Sequence, residues 1–77
     1  MTIKQAVINV CNEMEPGEEI LGYQLYNRVL RELAFSGSKK QPLSGTVLRR
    51  FREVRELCGM ESSIGVSKYR KKEERDV

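Results

Sequence analysis

The run Ser44-Gly45-Thr46-Val47-Leu48-Arg49-Arg50-Phe51-Arg52-Glu53-Val54-Arg55-Glu56-Leu57-Cys58-Gly59 decides how this chain is read. Advancing ~100° per residue brings Val47, Phe51, Val54 and Cys58 within ~40° of one line, which predicts an amphipathic helix from about Gly45 to Leu57. Leu48 and Leu57 flank that apolar stripe. Gly45, Thr46, Arg49, Arg52, Glu53 and Glu56 take the other side, basic near the helix start and acidic towards its end. Ser44 is placed to cap this helix, with Leu43 before it as a hydrophobic staple. Gly59 suits the left-handed residue just past the end.

Working outward, Ile3, Ala6, Val7, Val10, Cys11 and Met14 recur three and four apart and predict a first helix. Thr2 is its N-cap, and Pro16-Gly17 stops it. Glu18-Glu19-Ile20-Leu21 is too short for a helix and reads as a brief strand that delivers Ile20 or Leu21 to the core. Leu25, Tyr26, Val29, Leu30 and Leu33 predict a second helix from about Gly22 to Ala34. Phe35 to Leu43 holds Gly, Ser, Pro and the pair Lys39-Lys40, and is a connecting loop. After Gly59, two short strands can flank a turn at Ile64-Gly65. In the second strand Ser67, Tyr69 and Lys71 share one face, and Val66, Lys68 and Arg70 the other. The expected class is α+β and mostly helical: three helices, a short strand after the first, and a C-terminal β-hairpin.

The composition bounds the function. Seventy-seven residues, 39% of them hydrophobic, support one small core. A single domain over residues 1–72 is expected, followed by a charged disordered tail over 73–77. Lys71, Lys72 and Arg75 alternate with acids and read as solvated. With no histidine, imidazole metal sites and His-based nucleophilic triads are excluded. The paired carboxylates Glu18-Glu19 and Glu73-Glu74 are adjacent in sequence and do not face each other across a cleft. Phe35-Ser36-Gly37-Ser38-Lys39-Lys40 lacks the spacing of a phosphate-binding loop. The reading is therefore not an enzyme, with no cofactor, no metal and no small-molecule substrate. Cys11 and Cys58 fall on apolar stripes and read as reduced core thiols, with Met14 and Met60 as core filler. No apolar run is long enough to span a bilayer and the N-terminus lacks a signal-peptide core, so a cytoplasmic protein without membrane attachment is expected.

The charge is uneven. Residues 1–38 carry Lys4, Arg28 and Arg31 against five glutamates, net −2, whereas residues 39–77 carry eleven Lys and Arg against six acids, net +5. An acidic front joined to a basic back points to an anionic partner met from the C-terminal side. The alternative is that these cations only solvate a helix face.

Helix, short strand, helix, loop, helix, hairpin is the element order of the winged helix-turn-helix. The stretch Ser44 to Gly59, followed by Lys68-Tyr69-Arg70-Lys71, resembles the recognition helix and wing of winged-helix DNA-binding domains, in particular small phage, bacterial and archaeal ones. The likeness in element order covers nearly the whole chain, and that in residues covers 44–71. It implies that Ser44, Gly45, Thr46, Arg49 and Arg50 face the major groove, and that Lys68 and Arg70 approach the backbone or the minor groove. Two features depart from the pattern: a loop before the third helix longer than a tight turn, and an apolar wing tip at Ile64-Gly65.

The chemistry of these residues suits double-stranded DNA. Lys and Arg that displace counterions from phosphates supply most non-specific affinity. The guanidinium forks of Arg49 and Arg50 match the two acceptors of a guanine edge. Ser44 and Thr46 suit phosphate or thymine-methyl contacts, and a helix N-terminus attracts phosphate. Lys39 and Lys40 are placed for backbone contacts, and Arg52 lies on the same outward side. The alternatives stay open beside these. Arg52 and Arg55 can pair with Glu56 or with glutamates of the second helix, and Arg49 with Glu53. Tyr69 reads as a ring at the core edge, and Tyr23 and Tyr26 as packing residues. One small module offers few base contacts, so a homodimer or larger complex is expected where a defined sequence is the target. The competing reading of the whole chain is a winged-helix protein-interaction module without DNA binding.

Overall fold

A computed structural model describes residues 1–39, 41–62 and 67–72. Lys40, the expected turn at Ile64-Gly65 and the expected tail over 73–77 lie outside the described residues. The elements run α1 (Ile3–Glu13), β1 (Glu19–Leu21), α2 (Gly22–Phe35), α3 (Ser44–Val54), β2 (Met60–Ser62) and β3 (Lys68–Lys71). The class is α+β: three helices and one antiparallel sheet of order β1-β3-β2.

Local contacts set the starts of α1 and α2 and the end of α3. Thr2 Oγ1 accepts from the Gln5 N–H at 3.0 Å, the expected cap of α1. Strand β1 runs straight into α2, where the Leu21 N–H donates to Gln24 Oε1 at 3.0 Å, the half of a capping box that a leucine N-cap allows. Gly22 sits where two backbones nearly touch. Its N–H donates to the Ser67 carbonyl at 2.7 Å, and a Cβ there would lie 3.4 Å from the Ser67 Cβ. At the other end of α3 the chain turns through 55–59. The Met60 N–H reaches back to the Arg55 carbonyl at 2.9 Å, and Gly59 takes φ +67°, the left-handed conformation expected of it.

The apolar stripes meet in one core. Ala6, Val7, Val10, Cys11 and Met14 of α1, Leu25, Val29 and Leu33 of α2, and Val47, Phe51 and Val54 of α3 are buried together. Ile20, Cys58, Met60 and Tyr69 close the core from the sheet side, and α1 packs on both other helices. Phe51 and Tyr69 meet edge to face with ring centroids 4.6 Å apart.

Four expectations require correction. Leu43, not Ser44, is the N-cap of α3, with no side-chain cap bond, and Leu43 is exposed instead of stapled. The third helix ends at Val54, three residues before the expected Leu57. Leu57 itself is 84% exposed, because it lies in the turn beyond the end of α3, where no described element covers it. Tyr23 points to solvent from the first turn of α2, whereas Tyr26 is half-buried and packs as expected. Lys71 is not solvated tail. It lies in β3 on the Tyr69 face, and its ammonium donates to the carbonyls of Cys11 at 3.1 Å and Cys58 at 2.6 Å. It thus holds the last turn of α1 and the turn after α3 on one cation.

Candidate nucleic-acid interface

Helix α3 is a two-faced rod. With Val47, Phe51 and Val54 at 0% exposure, the opposite side must face water. Ser44, Gly45, Thr46, Arg49, Arg50 and Arg52 are all exposed, Gly45, Thr46, Arg49 and Arg52 on the side away from the core and Ser44 and Arg50 on its two flanks. Gly45 and Arg49 lie nearest the centre of that face, with Arg52 and Glu53 to either side. Because α3 lacks a capping side chain, the N–H groups of Ser44 and Gly45 have no partner among the described residues, the first being those of Thr46 and Val47, which donate to the Leu43 carbonyl. The partial positive charge of the helix N-terminus therefore opens onto the same surface.

The arginines of α3 differ in what holds them. Arg50 Nη1 bonds both oxygens of Glu53, at 2.9 and 3.1 Å, one turn along the helix. The pair expected between Arg49 and Glu53 is thus taken by Arg50 instead. Arg49 and Arg52 have no side-chain partner among the described residues. Arg55 does not pair with Glu56; its Nη1 donates to Ser62 Oγ at 3.2 Å and braces strand β2.

The loop and hairpin cations lie outside α3. Lys39 is exposed ahead of the helix, and the loop that carries it is pinned to α2 where Tyr26 Oη donates to the Pro42 carbonyl at 2.8 Å. In the sheet, Lys68 Nζ pairs with Glu19 at 2.9 Å. Arg70 stands between Glu19 on β1 and Glu61 on β2 in strand register, and it pairs with Glu61. Both pairs are half-exposed, which limits each to about 0.2–1 kcal/mol. A phosphate can replace so weak a partner.

A shallow groove lined by Leu21, Gly22, Tyr23, Ser44, Leu48 and Ser67 joins the starts of α2 and α3 to the start of β3. Tyr23 stands at its edge, 64% exposed. Sequence reading missed Tyr23 as part of this surface. The signal was its place just after Gly22, before the apolar spacing of α2 begins at Leu25. No described helix is long and apolar enough to cross a membrane. No protein-family model matches the chain, no curated protein matches its sequence and no solved structure matches its fold.

Proposed function

We propose that this chain is a winged helix-turn-helix domain that binds double-stranded DNA, with α3 in the major groove and β2–β3 as the wing. The element order and the β1-β3-β2 sheet agree with that architecture. The observation that carries the reading is the outward face of α3: Arg49 and Arg52 stand exposed with no acidic partner among the described residues, beside an uncapped helix N-terminus. Guanidinium groups so placed reach base edges, and the Ser44 and Gly45 N–H groups suit a phosphate. Lys39, Lys68 and Arg70 add backbone contacts at the flanks. The role is regulatory binding in the cytoplasm, in transcription or replication, without catalysis, and a homodimer or larger complex supplies specificity for a defined site.

Titrating a labelled duplex at several salt concentrations tests this. Contacts to about four to six phosphates give a slope of roughly −4 to −5 in log K against log salt. A flat dependence, or no binding at low salt, overturns it. A second reading has its own observation: Phe35, Leu43 and Leu57 are each more than three-quarters exposed. Apolar side chains so exposed suit a protein-interaction module, for which the DNA titration stays flat.

A further inference from the structure

Cys11 and Cys58 are the chain's two cysteines, and both are reduced and buried. One lies in the last turn of α1, the other in the turn after α3, so nearly all of the intervening helices and β1 separate them along the chain. In space they are neighbours. The single ammonium of Lys71 bonds both of their carbonyls, at 3.1 and 2.6 Å, and both side chains are buried in the same core cluster. We propose that Cys11 and Cys58 form a redox-modifiable dithiol that closes to an intramolecular disulfide when a small-molecule disulfide serves as oxidant.

The two thiols have different parts in that step. Burial, and then the neighbouring Cys58, push the Cys11 thiol up to about 12, with Lys71 pulling weakly the other way. Cys11 is therefore a poor first nucleophile. Cys58 keeps a 5% exposed edge against 0% for Cys11, and it sits in the turn after α3, outside any helix. Cys58 gives its proton to solvent, attacks one sulfur of oxidised glutathione and expels a glutathione thiolate, which takes up a proton from solvent. Cys11 then loses its proton to solvent, attacks the Cys58 sulfur and expels the second glutathione thiolate, which is protonated in turn. The chain's two thiols are oxidised to one disulfide, and one glutathione disulfide is reduced to two thiols. Forming an S–S bond of ~2.05 Å draws the Cys58 turn towards α1. That motion bears on Lys71, and so on β3, the strand that carries Lys68 and Arg70. The inference stands whether or not α3 binds DNA.

The test equilibrates the full chain with defined mixtures of reduced and oxidised glutathione, in native buffer and in guanidinium chloride. Remaining thiols are then alkylated and the products read by intact mass and peptide mapping. The expected result is a single Cys11–Cys58 cross-link that resists reduced glutathione about tenfold better in the folded chain than in the unfolded one. Cys11→Ala and Cys58→Ala each abolish the cross-link. The wild-type comparison stands even if a variant fails to fold. A folded-state dithiol no easier to oxidise than the unfolded one, or glutathione adducts persisting on both cysteines, overturns the proposal.

Discussion

Replacing the α3 arginines one at a time separates the groups proposed to meet DNA from those the protein holds for itself. Arg49 and Arg52 are exposed and have no side-chain partner among the described residues, so their truncation removes nothing from the fold. A guanidinium fork on a guanine edge is worth ~1–3 kcal/mol, which at 1.4 kcal/mol per decade makes each alanine variant about 5- to 140-fold weaker on its preferred duplex. Arg50 is different. It must first give up Glu53, a pair whose two side chains are 45% and 42% exposed and whose worth is at most ~1 kcal/mol. Arg50→Ala is expected to cost up to about fivefold less than Arg49→Ala, and Glu53→Gln to strengthen binding by up to about fivefold. Fluorescence anisotropy on a labelled duplex at fixed salt gives the affinities, and thermal melts by circular dichroism confirm that the variants stay folded. Should Arg50→Ala cost more than Arg49→Ala and Arg52→Ala, or should the Arg49/Arg52 double variant bind as wild type does, the assignment of the outward face fails.

Other perturbations reach separate parts of the account. Phe51→Ala empties the centre of the core, where the ring is fully buried against Tyr69, and is expected to cost ~3–5 kcal/mol. Chemical denaturation of a variant that lost under ~1 kcal/mol would show that the α3 core face is misassigned. Lys71→Met removes an ammonium from two carbonyls and is expected to destabilise by ~1–3 kcal/mol, read as a lower denaturation midpoint; an unchanged midpoint means the clasp contributes nothing. Gly45→Ala meets no atom within 4 Å and raises helix propensity, so stability rises by up to ~1 kcal/mol. If DNA passes close to the helix there, affinity falls in the same variant, and a joint rise would place the duplex elsewhere. Lys39→Ala is expected to lower affinity by a similar factor on unrelated duplexes, and a sequence-selective loss would reassign that loop to base reading.

What could be read from the chain alone followed the reach of local rules. The helix stripes were legible because the apolar residues of α1, α2 and α3 recur at the period of a helix. Thr2 and Gly59 were legible because capping and left-handed turns place strong demands on residue type. The exposure of Leu43 and Leu57 was not, since an apolar side chain near a helix end looks the same whether or not another element covers it. The inward turn of Lys71 was hidden for the opposite reason: a lysine in a charged run reads as solvated, and only the meeting of two helix ends supplies its carbonyls. Of the candidate site, the outward placing of Gly45, Thr46, Arg49 and Arg52 came from periodicity, and the inclusion of Ser44 and Arg50 from the winged-helix resemblance. The pairs Lys68–Glu19 and Arg70–Glu61 depend on strand register between distant segments, which the spacing of residues along the chain does not encode. The nearness of Cys11 to Cys58 is likewise a product of tertiary packing.

The surface proposed to meet DNA can be tested directly by following backbone amide signals of the labelled protein during addition of a duplex at low salt. Shifts concentrated on Ser44 to Glu53, with weaker ones at Lys39, Tyr23 and Lys68 to Arg70 and none along α1, are the predicted result. Shifts confined to α1 or to the surroundings of Phe35 and Leu57, with the α3 amides unmoved, would contradict it.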